Sequence, residues 1–283
     1  MKIKGKKILI TGGSMGIGAK IAEACAMEGA SVIITARHKN DLEKTLASLP
    51  RPDDANHTFF ILDVSKKDEV KNLAEKIQKE HSYIDGLVNC AGIYGPIGKT
   101  DEVDLEKLEE TLRVNLLGTF FMCHYFIPVL KKSKRGKIIN LSGGGGTGPF
   151  PNYSAYATSK VGVVRLTENM GLEYKNQNID INAIAPGFVV TRLHAETLQA
   201  GEKAGHDFLE TTKKGIEKGG VPGERAAGLA VFLLSDESNG VTGKCISAPW
   251  EPWETFEFKE KLKNDKDFCT LRRIDGQNFS KSV

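Results

Sequence analysis

The sequence predicts a doubly wound α/β fold, one domain built on a seven-stranded parallel sheet with helices on both faces, and three observations carry that expectation. Short apolar runs rich in β-branched residues alternate with longer segments of helical period, the pattern of parallel strands covered on both sides. The first run opens directly into a glycine-rich turn, TGGSMGIG (11–18), before a helix-period segment. With 283 residues, 40% of them hydrophobic and 27% charged, the chain suffices for one large core.

In chain order the expected strands are KILI (7–10), SVIITA (31–36), TFFILDV (58–64), DGLVNCA (85–91), KIINLS (137–142), IDINAIAP (179–186) and KCISA (244–248). Between the fourth and fifth, VNLLGTFFMCHYFIPVL (114–130) is apolar at 12 of 17 positions, which leaves a helix little room for a wet face. It reads either as a core helix or as a subunit interface. Residues 191–220 fall outside the alternation, with five acids and five basic residues apart from histidine. Such a composition suits a mobile lid over a polar ligand, or a solvated connection. Residues 1–250 are thus expected to form the domain and 251–283 a C-terminal extension, whose seven acids and seven basic residues accompany Trp253, Phe256, Phe258, Phe268 and Phe279.

Lys and Arg total 39 against 36 acids, and the net charge of +3 supplies no broad field for nucleic acid or a membrane. The one dense basic cluster, KKSKRGK (131–137), reads as a solvated helix end. Five scattered cysteines (Cys25, Cys90, Cys123, Cys245, Cys269) contain no C-x-x-C pair, so a reducing cytoplasm is expected and no metal site. The N-terminal apolar run is too short for a signal peptide. His124 and Pro128 interrupt the longest candidate for the ~20 apolar residues of a spanning helix.

The chemistry starts at the first turn. Gly12, Gly16 and Gly18 stand where absent Cβ atoms let a pyrophosphate approach backbone N–H groups and a helix N-terminus. The second strand ends TARHKN, so the position of a ribose-gripping acid holds Ala36 and is followed by Arg37. Arginine there suits the extra phosphate of NADP, with NAD as the alternative, or is an ordinary surface residue. Tyr156 and Lys160 stand four apart in YATSK, on one face of a helix starting near Ser154. A free phenol titrates near ~10, and a neighbouring ammonium favours its phenolate.

Taken together and in order, TGGSMGIG, LDV, NCAG, VNLLG, YATSK and APGFVVT resemble the short-chain dehydrogenase/reductase family over about residues 5–248, close to its 3-oxoacyl-reductase-like members. The resemblance implies a Rossmann-type domain with Gly12, Ser14, Met15, Gly16, Ile17 and Gly18 around the cofactor pyrophosphate and ribose. It further implies Asp63 and Val64 at the adenine, and Asn89, Ala91 and Gly92 at the ribose region. Pro186, Gly187, Val189 and Thr191 would hold the carboxamide, and Asn115 a water in a proton relay through Lys160. A homodimer or homotetramer is implied as well.

One position departs from that pattern. The family's serine, thirteen residues before the tyrosine, is replaced by Gly143, while Ser142 stands one position early. Adjacent strand residues point to opposite faces, so Ser142, though kept as a catalytic candidate, is expected to face away unless the glycine run bulges. Thr147 and Ser154 are alternative hydroxyls. The reaction expected is hydride transfer between nicotinamide and a carbonyl or secondary alcohol, with Tyr156 exchanging the proton. The polar lid and vacated serine position suggest a polar small-molecule substrate, a sugar or sugar-derived compound, phosphorylated or nucleotide-linked. The alternatives are a 3-oxoacyl thioester reductase and a cofactor-sensing protein without catalysis. The tail, ISAPWEPWETF onward, is read as a wall of the substrate pocket, a clasp on a neighbouring subunit, or a surface strap.

Overall fold

A computed structural model describes residues 1–273, so Phe279 lies outside the described residues. The strands are β1 (Lys7–Thr11), β2 (Ser31–Ala36), β3 (Thr58–Ile61), β4 (Gly86–Asn89), β5 (Gly136–Leu141), β6 (Ile179–Ala185) and β7 (Cys245–Ser247), one for each expected run. All pair in parallel in the order β3-β2-β1-β4-β5-β6-β7. In β1, Ile8 and Ile10 enter one core and Leu9 the other, because side chains alternate across a strand; both faces are therefore apolar. α1 (Gly16–Met27), α2 (Lys39–Ser48) and α9 (Gly223–Leu234) cover the first face. The second lies under α3 (Lys67–His81), α5 (Gly118–Leu130) and α6 (Ser154–Glu173). The chain reverses its winding between β1 and β4, so a crevice opens at the carboxyl ends of those strands. The third strand stops at Ile61, three residues before the end of the expected run, and this frees Asp63 and Val64 to line the crevice.

The apolar helix is longer than expected. It starts with α4 (Leu105–Leu112), passes through a π-turn at Arg113–Leu117 and continues as α5. By length and composition, Leu105–Leu130 meets the requirement for crossing a membrane, with mean hydropathy 1.2, so His124 and Pro128 do not interrupt it as expected. Within the fold it is a core helix: Met122, Cys123, Phe126 and Ile127 are buried against the sheet. Leu117 and Phe120 remain exposed on its other side, so the core reading describes the inner face.

The segment expected as a polar lid is two amphipathic helices, α7 (Arg192–Ala200) and α8 (His206–Glu217). Leu193, Ala200, Ala204, Phe208 and Leu209 pack inward on Tyr94, Tyr153 and Tyr156. Polar composition therefore hid an apolar inner face. In the tail, Trp253 and, from α10 (Phe256–Asn264), Phe258 and Leu262 join the first core. Lys244 Nζ donates to the carbonyls of Asp265 (2.6 Å) and Phe268 (2.9 Å), and Cys245 N to Cys269 O at 2.8 Å. The described tail is thus a strap over the β7 edge of its own sheet, which shields an otherwise open strand.

Candidate active site

The end of β1 builds one side of the crevice. Thr11 Oγ1 accepts from Cys90 N (3.1 Å) and Ala91 N (3.2 Å), which ties β1 to the loop after β4. Gly12 then turns with φ +62, and a Cβ there would meet Ala91 Cα at 2.9 Å; only glycine fits so close a crossing. Beyond it α1 begins with no side-chain cap and no acid in its first turn, so its leading N–H groups face the crevice unclaimed. The cavity here measures about 470 Å³. Its walls bring together Gly12, Ser14, Met15, Gly16, Ile17, Gly18, Arg37, Asp63, Val64, Ala91, Gly92 and Thr191 from segments far apart in sequence. Arg37 and the neighbouring His38 are exposed at the rim.

Six expected cofactor contacts are not in that wall: Tyr156 and Lys160, both expected to touch the cofactor, are buried beyond it, and the other four lie elsewhere. Asn89 is turned into the sheet, where its amide donates to Asn140 Oδ1 at 2.9 Å. Pro186 is buried, and Gly187, at φ +79, packs on Pro249 and Val221. Val189 lines a separate groove with Gly223, while Val190, Arg192 and Leu193 take the cavity positions. These side chains shape the loop that delivers Thr191, which caps α7 together with His194.

Tyr156 and Lys160 lie one turn apart near the start of α6, both buried. Lys160 Nζ donates to Leu141 O at 2.8 Å and sits 5.5 Å from the centre of the Tyr156 ring. Burial pushes Lys160 down to about 8 from 10.5 and holds the Tyr156 phenol well above its ordinary range. Without a ligand Tyr156 is therefore an acid with its proton in place. Asn115, in the π-turn, accepts from Ile93 N and donates to Ile93 O, each at 2.9 Å, and to Ser159 Oγ at 3.0 Å. Its side chain is fully used in locking the loop after β4 to α6, and Gly92 passes between it and Lys160.

The glycine run meets Tyr156 directly. A Cβ added at Gly143 would collide with Tyr156 Oη, so position 143 faces the phenol and carries nothing. Ser142 is buried on the opposite side, beside Gly146 and the Cys245 thiol, and the structure does not bring it to Tyr156. The glycines do not bulge it inward. Thr147 is exposed, and Ser154 pairs with Thr100 Oγ1 at 3.2 Å on the surface, so neither replaces it.

A family model described as short chain dehydrogenase matches residues 6–202. The chain belongs to the short chain dehydrogenase family. A 3-oxoacyl-[acyl-carrier-protein] reductase of Thermotoga maritima is 35% identical over 87% of this chain and 97% of its own. A glucose 1-dehydrogenase of Gluconobacter oxydans is 31% identical over 87% and 91%. Among solved structures, levodione reductase superposes with a TM-score of 0.78 at 29% identity, over 87% of this chain and 96% of that one.

As a short chain dehydrogenase the protein is an oxidoreductase acting on CH–OH or C=O groups with a nicotinamide cofactor. The crevice fits such a cofactor on its own evidence: the uncapped start of α1 suits a pyrophosphate, and Thr35 presents a buried hydroxyl without a partner in the cavity wall. Sequence reasoning missed Thr35, because a threonine in a strand is ordinary until the sheet order puts it at the crevice. It also missed the aromatic wall. Tyr94 packs on Tyr156 at 4.7 Å between ring centres, and Phe150 stacks on Tyr153 at 4.3 Å. No periodic pattern links those four positions.

Proposed function

We propose that this short chain dehydrogenase reduces a ketone carried on a ring, or oxidises the matching secondary alcohol, with NADP preferred over NAD. The observation carrying the substrate class is the wall around Tyr156, made of Tyr94, Phe150 and Tyr153, with Phe208 and Ala204 above it. Flat aromatic faces suit the faces of a ring, whether of a sugar or of an alicycle. The polar-lid motive for a sugar weakens, because the inner lid face is apolar; sugars remain one arm of the class. The enclosed site, with Tyr156 6% exposed, disfavours the long arm of an acyl thioester.

When bound, the nicotinamide supplies or accepts the hydride. The chain does the rest. Tyr156, kept protonated by burial, gives its proton to the oxygen of the forming alkoxide. Lys160 then stands close enough to stabilise the phenolate, and its burial-lowered pKa makes it ready to return a proton. Asn115 holds the loop and helix that carry this pair, a support for the water relay implied by the family pattern. Arg37, with Ser14 in the same wall, supports the NADP preference by offering a guanidinium at the rim.

The five free thiols support a reducing cytoplasm. Exposed Leu117 on the π-turn, Phe120 on α5 and Val161 on α6, where Leu116 meets Gly162, support a homodimer or tetramer through that face. The division at residue 250 is kept as a proposal for where the catalytic domain ends, with residues 251–273 strapping it. The test is a panel assay following reduced-nicotinamide absorbance with cyclohexanone, decalones, aldohexoses and an acetoacetyl thioester. Turnover confined to the thioester, or none with either cofactor, overturns the reading.

A further inference from the structure

We infer that Tyr94 is a second catalytic phenol, one that donates a hydrogen bond to the same substrate oxygen that receives the Tyr156 proton; this rests on the function proposed above. Tyr94 follows NCAGI, in the loop after β4 that Asn115 pins through Ile93. It is 5% exposed, yet its hydroxyl makes no hydrogen bond among the described residues. Tyr153, its neighbour in the same cluster, shows the ordinary outcome: its hydroxyl donates to Thr197 Oγ1 at 2.8 Å. The Tyr94 oxygen is not among the buried orphan atoms, so it keeps solvent contact and, unlike that of Tyr153, is free to donate to a ligand entering the site.

Its surroundings say what the partner is. The Tyr94 ring meets the Tyr156 ring edge to face, with centres 4.7 Å apart and an interplanar angle of 89°. Burial holds Tyr94 far above the ordinary phenol range, and of the neighbouring charges an ionised Tyr156 would oppose its ionisation most. The two phenols thus belong to one cluster, and Tyr94 is held as a neutral donor. Gly143 contributes no side chain beside Tyr156.

Charge grows on the substrate oxygen as hydride reaches the carbonyl carbon, and a preorganised donor is worth most at that moment. Hydride and one proton enter the product; the proton leaves Tyr156, and Tyr94 keeps its own. The Tyr94 hydroxyl therefore lowers the barrier without entering the stoichiometry. It also restricts substrates to those whose carbonyl reaches between two phenols.

Tyr94→Phe keeps the ring packing and deletes the donor. With the best substrate of the panel, kcat is expected to fall about 10²-fold, with NADPH affinity and Tm unchanged. A kcat equal to that of the parent overturns the assignment, as does a loss that appears only in Tm. A parent enzyme silent toward every panel carbonyl overturns the proposed function instead. The phenol is then judged by cyclohexanone binding to the NADP+ complex, followed through tryptophan fluorescence. Binding weakened about twofold to tenfold in Tyr94→Phe sustains its role, and unchanged binding sinks it.

Discussion

Lys160 commits a hydrogen bond to Leu141 O at 2.8 Å while its ammonium stands 5.5 Å from the Tyr156 ring centre, so one buried cation ties the end of β5 to the phenol proposed as the acid. The strand carbonyl fixes the lysine, which in the proposed reaction offsets the charge that appears on Tyr156.

Tyr156→Phe removes the proton and leaves the ring contacts with Tyr94 and Phe150. Turnover should drop by ~10² to 10⁴ while NADPH titration by fluorescence is unchanged. A smaller loss would mean that another group protonates the product.

The glycine run gives a paired expectation. Gly143→Ala and Gly143→Ser should be equally damaging, at least about tenfold in kcat, because the collision with Tyr156 Oη belongs to the Cβ and not to the hydroxyl. Ser142→Ala should stay within about twofold of the parent. Kinetics showing Ser142→Ala as crippled as Tyr156→Phe would contradict the outward placement of that hydroxyl.

Arg37→Ala should weaken NADPH by about one to two factors of ten and leave NADH within a factor of two, since a charge-assisted pair is worth ~1.5 to 3 kcal/mol. Dissociation constants for both cofactors on both proteins decide it. Equal losses would make Arg37 a general electrostatic contributor.

Lys160 also predicts a pH effect on stability. Its folded pKa, about 8, lies below the 10.5 of the exposed group, so between those values the unfolded chain holds more protons than the folded one. Stability then rises with pH through that window, and the burial penalty is fullest below about 8. The raised cysteine and tyrosine groups act in the opposite direction, so the difference between parent and Lys160→Met isolates the lysine. Melting curves from pH 7 to 10 should show the parent gaining on the variant as pH rises, while the variant is inactive throughout.

Phe120→Asp places a charge on the exposed apolar face shared by α5 and α6. Light scattering should show the parent as a dimer or tetramer and the variant shifted to monomer, with the melting temperature lowered by the loss of subunit linkage. A monomeric parent at micromolar concentration would leave this face without an occupant.

Sequence by itself determined the seven strands, the glycine turn at Gly12, the one-turn spacing of Tyr156 and Lys160 and the absent side chain at Gly143. Each of these is local: strand period, turn chemistry and an i to i+4 step act over a few residues and leave a readable pattern. What it could not display were contacts between distant segments. The partnerless hydroxyl of Thr35 has meaning only because β2 borders the crevice, and Tyr94 meets Tyr156 only because Asn115 pins one loop to one helix. The lid misled for a related reason. Counting its charges averages over two sides of each helix, and packing alone decided that Ala204, Leu209 and Phe208 would face the aromatic wall while the charges faced water.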